Sequence, residues 1–183
     1  MRQYVVCAIL LLCPVCVGCV GHGQDAYEPG DRLGTFHATG TLTSDTCQAA
    51  LLGDTAQWAF DVKLSREGNT LYWLNGEEAI PGSIASDGTT FDFESGVEVT
   101  LQAAQGAQPA CTMDRSDTAN GVLASSTTDV PSFTVEMSFG YAVAAGSQCA
   151  GWVGVQGGFA TLPCAVSYNL TAARTALPTA LDD

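Results

Sequence analysis

Residues 133–143, FTVEMSFGYAV, decide the fold class of this chain. Apolar side chains occupy every second position from Phe133 to Val143, and residues such as Thr134 and Glu136 fill the positions between them. A two-residue period places all of the apolar side chains on one face of a β-strand. The stretch therefore predicts a strand with one buried and one solvated face, which is typical of antiparallel sheets.

The same alternation recurs along the chain from residue 35 onward, in the segments 36–42, 58–64, 91–93, 97–101 and 164–170. With a short apolar segment at 71–74 before the Asn75-Gly76 turn signal, it indicates about eight to ten strands at hairpin spacing. We expect an all-β fold, closed as an antiparallel up-and-down barrel or packed as a β-sandwich.

In size and strand count, this barrel resembles the lipocalin-like calycins. The Gly-x-Trp of lipocalins is Gly34-Thr35-Phe36 here, so the likeness is one of architecture. Helical patterns are short: we expect a turn or two at residues 48–52 and another at 172–176. Residues 105–131 are the least regular part, and we expect long loops there.

The N-terminus has the features of an export signal. One positive charge, at Arg2, precedes an apolar run at residues 5–17, and about thirteen residues suit a signal-peptide core but not a bilayer span of roughly twenty. The run ends in Cys16-Val17-Gly18-Cys19, which resembles the lipobox of bacterial lipoproteins. The resemblance implies cleavage before Cys19 and lipidation of its thiol, with acyl chains such as palmitate anchoring the protein to a membrane.

The resulting domain organisation is a signal peptide at 1–18, a lipidated tether at 19–33 that includes His22, and a single β domain at 34–183. We expect a location in the cell envelope, with the outer membrane preferred. Cleavage after Gly21, which would release a secreted protein, is the alternative. The spacing of Cys13, Cys16 and Cys19 is also that of a metal or iron–sulfur site, but it lies inside the apolar export segment.

Four cysteines follow the anchor segment, and an exported protein would oxidise them to disulfides. They are Cys47, Cys111, Cys149 and Cys164. Four cysteines allow three connectivities. A hairpin turning at Gln156-Gly157 would place Cys149 opposite Cys164, so local pattern favours that pair and leaves Cys47 with Cys111.

Charge excludes one class of partner. The chain has 6 Lys and Arg against 19 Asp and Glu, a formal net charge of −13, and Lys63 is its single lysine. A nucleic-acid partner needs clustered cations, so none is expected. The expected partners are the membrane, through the N-terminal lipid, and either a protein or a small apolar ligand.

The sequence carries no motif of a known enzyme class: it contains no G-x-S-x-G, no H-E-x-x-H and no P-loop. His37 is the one histidine within the β domain, and we interpret it as a surface residue. The segment 114–121, DRSDTANG, could bind calcium, but a turn is the preferred interpretation. The carboxylates at alternating outward positions are expected to be solvated: Asp61, Asp92, Glu94, Glu98 and Glu136.

No catalytic residue, metal site or cofactor is therefore predicted. We expect a membrane-anchored envelope lipoprotein with a non-enzymatic binding or structural β domain. The alternative is a β-barrel carrier of a small apolar ligand. The position of the aromatic residues distinguishes these two functions. Aromatic residues that fill the core favour the binding or structural domain, whereas aromatic residues that line a cavity favour the carrier. Core packing is the expectation for the set Trp58, Tyr72, Trp73, Phe91, Phe93, Phe133, Phe139 and Trp152.

Overall fold

The computed structural model describes residues 28–48, 57–75, 78–154 and 158–176. These residues form eight antiparallel strands, each hydrogen-bonded to the next, and β8 pairs with β1 to close a barrel. The all-β fold and the up-and-down barrel are thereby confirmed. The strands are β1 (Asp31–Asp45), β2 (Gln57–Glu67), β3 (Thr70–Asn75), β4 (Glu78–Ile84), β5 (Thr90–Gln102), β6 (Cys111–Leu123), β7 (Ser132–Val143) and β8 (Cys164–Ala176).

The alternation of apolar and polar residues in the sequence corresponds to side chains that point alternately into and out of the barrel. In β7, Phe133 and Val135 are buried while Thr134 and Glu136 are exposed. The same holds in β1, where Phe36 and its alternate neighbours face the interior. Each strand turns one face toward the barrel interior. Because β8 pairs with β1, no long unpaired edge remains at the β1–β8 seam.

Two expectations about irregular segments are wrong. The segment 105–131 contains β6. The inward face of β6 carries Arg115, Asp117 and Gly121 among apolar residues, and these three residues interrupt the alternation by which a strand is recognised in a sequence. Residues 172–176 are strand rather than helix, because β8 pairs with β1 on one side and with β7 on the other, which outweighs the helix propensity of alanine. The helical turn predicted at 48–52 lies outside the described residues except for Gln48.

The first strand begins at Asp31, within the segment assigned to the tether. Leu33 is fully buried, and the Glu28 carboxylate forms ion pairs with Arg32 and with Lys63, at 3.6 Å from the Lys63 ammonium. The barrel therefore starts before residue 34. The signal segment, Cys19 and His22 lie outside the described residues.

The barrel has a closed end, where β1 begins and β2 ends, and an open end, where β1 ends and β8 begins. At the closed end, Phe36, Phe91 and Phe133 are fully buried and pack edge to face. Arg66 donates hydrogen bonds there to the carbonyls of three connecting residues: Gly68 at 2.9 Å, Gly88 at 3.3 Å and Ser126 at 3.0 Å. One side chain thus fastens three loops over a filled interior.

Both disulfides lie at the open end, and their pairing differs from the one that local pattern favoured. Cys47 is bonded to Cys164, and Cys111 is bonded to Cys149. The expected Cys149–Cys164 pair required a regular hairpin, but Ala150–Trp152 is a 3-10 turn and β8 begins only at Cys164. The bonds instead join neighbours in the closed sheet: the β1–β8 seam, and the start of β6 to the segment after β7.

Candidate functional site

The half of the barrel near the open end contains a cavity of about 410 Å³. This volume lies at the lower end of the range of small-molecule pockets. Side chains from β2 to β7 form its lining. They are Trp58, Phe60, Asp61, Trp73, Leu74, Ile80, Phe93, Glu94, Ser95, Arg115, Asp117, Thr118, Ala119, Met137 and Phe139.

One side of the cavity is an aromatic wall formed by Trp58, Phe60 and Trp73, on β2 and β3. The ring centroids of Trp58 and Phe60 are 4.5 Å apart, and those of Phe60 and Trp73 are 5.9 Å apart. All three residues are only partly buried, although they pack against the core. Large aromatic surface that faces a cavity is available to an apolar ligand.

Two further rings connect the aromatic wall to the other strands. Phe93 on β5 lies 5.8 Å from Trp73, and Phe139 on β7 lies 5.7 Å from Trp58, measured between ring centroids. The expectation that the aromatic residues fill the core therefore holds for Phe91 and Phe133 at the closed end. Phe93 is buried as well, although it also borders the cavity, whereas Trp58, Trp73 and Phe139 are partly buried and line the cavity. Tyr72 and Trp152 are partly buried and do not line it.

The facing side is a polar wall formed by Ser95, Arg115 and Asp117, on β5 and β6. Arg115 and Asp117 lie on the same face of β6 as the buried residues Met113 and Ala119, so their side chains belong to the interior face of the barrel. Ser95 is directly opposite Asp117 in the β5–β6 register. The sequence motif considered as a calcium loop or a turn is thus part of a strand.

An ion pair dominates the polar wall. Arg115 Nε donates to Asp117 Oδ1 at 2.7 Å, and the guanidinium carbon lies 5.0 Å from the centroid of the Phe139 ring. The side chains are 35% and 26% exposed, between the regimes of a surface and a buried pair. Such a pair contributes little net stability, because desolvation offsets much of the attraction.

Tyr141 follows Phe139 on the interior face of β7 and is directly opposite Arg115 in the β6–β7 register. Burial raises the pKa of its hydroxyl above the usual value, while the nearby Arg115 opposes the shift. Tyr141 and Arg115 also border a second, more open hollow of about 490 Å³ on the β5–β7 flank. Because its pKa is raised, the Tyr141 phenol stays protonated and neutral at physiological pH.

The cavity borders a place where the wall of the barrel separates. Among the described residues, β4 and β5 are paired only at Ser83–Asp92 and Ile84–Phe91. Ile80 of β4 and Phe93 of β5, both beyond these pairs, line the cavity. The cavity therefore lies beside the part of the wall where β4 and β5 share few backbone pairs.

The turn between β4 and β5 at the closed end is held by Asp87. Its carboxylate accepts hydrogen bonds from the Thr90 hydroxyl at 2.6 Å and from the backbone N–H groups of Thr89 and Thr90. These bonds lower the pKa of Asp87 to about 2. The exposed carboxylate acts as a turn anchor far from the cavity.

His37 and the carboxylates expected at outward positions have exposed side chains, although Asp61 and Glu94 also border the cavity. His37 Nδ1 is 2.8 Å from Asp61 Oδ1 across the β1–β2 pair, and both side chains are largely exposed. The other four carboxylates expected at outward positions are exposed as well. Within the described ranges, no group of three or more His, Cys, Asp or Glu side chains is arranged to hold a metal ion.

Comparisons with protein-family models, with curated proteins and with solved structures found no match for this chain. Across the parts of the chain that the structure describes, no helix is long and apolar enough to cross a membrane. The fold and the cavity are the features of the molecule that bear on its function. A β-barrel of this kind is compatible with a binding or carrier role.

Proposed function

We propose that this protein is an exported, non-enzymatic binding protein that carries a small, largely apolar ligand in the barrel cavity. The observation that supports the proposal most directly is the contrast between the two ends of the barrel. Phe36, Phe91 and Phe133 at the closed end are buried against one another, whereas the partly buried rings of Trp58, Phe60, Trp73 and Phe139, nearer the open end, border about 410 Å³ of space. Transfer of apolar ligand surface from water to that space is favourable.

Filling the cavity tests this proposal. Ala119 is buried and lines the cavity, opposite Met137 in the β6–β7 register. We expect wild-type protein to bind the uncharged fluorescent probe N-phenyl-1-naphthylamine, and Ala119→Leu to weaken that binding about tenfold or more, because the added carbons occupy ligand space. Fluorescence titration measures both affinities.

The matched control is Ala173→Leu, which makes the same change on the exposed face of β8. Its probe affinity should equal that of wild type, and far-UV circular dichroism should show that both variants keep the fold. Wild-type protein that fails to bind the probe, or an Ala119→Leu variant that binds as well as wild type, would contradict the carrier function.

We further propose that the barrel is anchored to a membrane of the cell envelope through lipidated Cys19. Support comes from the export signal and from the lipobox-like residues that end it. The two disulfides support an oxidising compartment, because such bonds persist outside the reducing cytosol. Two or more acyl chains would hold the protein stably, which one chain does not achieve.

Replacing Cys19 by alanine tests the anchor. We expect Cys19→Ala to move the protein from the membrane fraction to the soluble fraction and to abolish the added acyl mass in intact-protein mass spectrometry. Cys13→Ala is the matched control, because it makes the same change in the apolar run but outside the lipobox-like residues, and it should leave both readouts unchanged. A Cys19→Ala protein that stays with the membrane would refute anchoring through this residue and leave the cavity function unaffected.

A further inference from the structure

We propose that the cavity selects a planar, uncharged ligand that presents a hydrogen-bond donor beside an acceptor, such as a lactam or another amide-containing heteroaromatic ring. This inference rests on the proposed carrier function and specifies its ligand. It follows from the arrangement of the aromatic wall and the polar wall around one small space.

The planar shape follows from the rings. Trp58, Phe60 and Trp73 present adjacent aromatic surfaces on one side, and Phe93 and Phe139 extend them toward β5 and β7. Flat ligands gain the most contact with such surfaces by stacking or by edge-to-face packing. The volume of about 410 Å³ has room for a molecule of two or three fused or linked rings.

The absence of charge follows from the ion pair. Arg115 and Asp117 are the charged residues on the interior face of β6, and they neutralise each other at 2.7 Å. An anion drawn to Arg115 would meet the Asp117 carboxylate. Asp61 and Glu94 also border the cavity, but both are exposed, so water screens their effect on an anion and on a cation alike. A cation drawn to Asp117 would meet the guanidinium of Arg115. On entering the cavity, an anion or a cation would lose more hydration free energy than its interaction with the Arg115–Asp117 pair would restore.

The adjacent donor and acceptor follow from the chemistry of the same pair. A guanidinium has five N–H donors, of which the contact with Asp117 takes the one at Nε, and a carboxylate accepts about four hydrogen bonds. Ser95, opposite Asp117, adds a hydroxyl. A carbonyl beside an N–H on the ligand matches this donor–acceptor pair, and hydrogen bonds to charged groups are stronger than neutral ones.

A set of two-ring probes of similar size separates these properties. The set comprises 2-quinolone, with adjacent N–H and carbonyl groups; naphthalene, with no polar group; 2-naphthoate, an anion; and 2-naphthylmethylammonium, a cation. Each competes with bound N-phenyl-1-naphthylamine in wild-type protein. We expect 2-quinolone to displace the dye at about tenfold lower concentration than naphthalene or either ion.

A double variant tests which residues provide the selectivity. Arg115→Met with Asp117→Val removes both charges together and leaves neither partner unpaired. In this variant, 2-quinolone and naphthalene should displace the dye within about threefold of each other. The control is Arg174→Met with Asp129→Asn, which removes an ion pair of 2.6 Å outside the cavity and should retain the wild-type preference.

The outcomes distinguish this inference from the function on which it rests. Equal displacement by 2-quinolone and naphthalene in wild-type protein, or tighter binding of either ion, overturns the inference while the carrier function stands. Failure of the wild-type protein to bind the dye overturns both. The wild-type competition decides the question even if the double variant does not fold.

Discussion

Replacing Cys47 and Cys164 together by alanine is expected to lower the free energy of unfolding by about 5 kcal/mol. The bond closes a sequence separation of 117 residues, so its removal returns a large amount of chain entropy to the unfolded state. A typical domain has a total stability of about 5–15 kcal/mol. The variant should therefore be at the margin of folding at physiological temperature.

The position of this bond makes the loss specific to closure of the barrel. It joins the segment just after β1 to the first residue of β8, the two strands whose pairing converts an open sheet into a barrel. Without it, this end of the seam relies on local hydrogen bonds, including those of the Thr46 backbone and hydroxyl with the Ala165 carbonyl at 3.0 and 3.1 Å. Such bonds contribute about 1 kcal/mol each.

Equilibrium urea unfolding under non-oxidising, thiol-free conditions measures the loss. The matched variant Cys111→Ala with Cys149→Ala opens a separation of 38 residues and should lose less, about 4 kcal/mol. Peptide mapping without reduction should recover Cys47 linked to Cys164 and Cys111 linked to Cys149. A seam variant as stable as wild type, or four free thiols in the native protein, would contradict this account of the barrel.

The strands could be predicted from the sequence because a strand with one buried face has an apolar residue at every second position. β1, β2 and β7 show this pattern with little interruption, and the structure places their alternate apolar residues inside. The number of such strands and the scarcity of helical patterns favoured an up-and-down barrel and left a β-sandwich as the alternative. These features are local, so a linear reading of the chain is sufficient to find them.

The polar wall was missed for a physical reason. β6 carries Arg115, Asp117 and Gly121 at inward positions, so its alternation of apolar and polar residues is interrupted. Gly121 is required by close packing, since a Cβ there would lie 2.2 Å from the Phe91 ring. A signal was present: Met113, Ala119 and Leu123 share the odd-numbered positions with these three residues, and a charged pair on an otherwise inward face indicates a site.

The disulfide pairing could not be read from local pattern. Both bonds join segments that become neighbours only when the sheet closes or when β6 pairs with β7. Local reasoning gave a hairpin between Cys149 and Cys164 because the Gly-rich segment between them resembles a turn. In the structure that segment contains a 3-10 turn and an isolated bridge between Val153 and Phe159. The disulfide pairing could therefore be determined only from the folded barrel, in which these cysteines become neighbours.

The second large effect is expected at the closed end, where Phe133→Ala should lower the free energy of unfolding by about 3–5 kcal/mol. Phe133 is 2% exposed, and its ring lies 5.2 Å from Phe36, 6.1 Å from Phe91 and 6.3 Å from Trp73 between centroids. Truncation leaves a cavity that these rings cannot fill without giving up their contacts with one another. Chemical denaturation measures the change.

The matched change at the open end is Phe139→Ala, on the same strand and the same face. Its ring is partly buried and borders a cavity that already exists, so the expected cost is about 1–2 kcal/mol. Binding of N-phenyl-1-naphthylamine should respond in the opposite order, with a large loss in Phe139→Ala and little change in folded Phe133→Ala. Equal stability losses at the two positions would mean that the open end is packed as tightly as the closed end. In that case the cavity would not be the binding site, because a ligand can gain apolar contacts only where the protein has left them unmade.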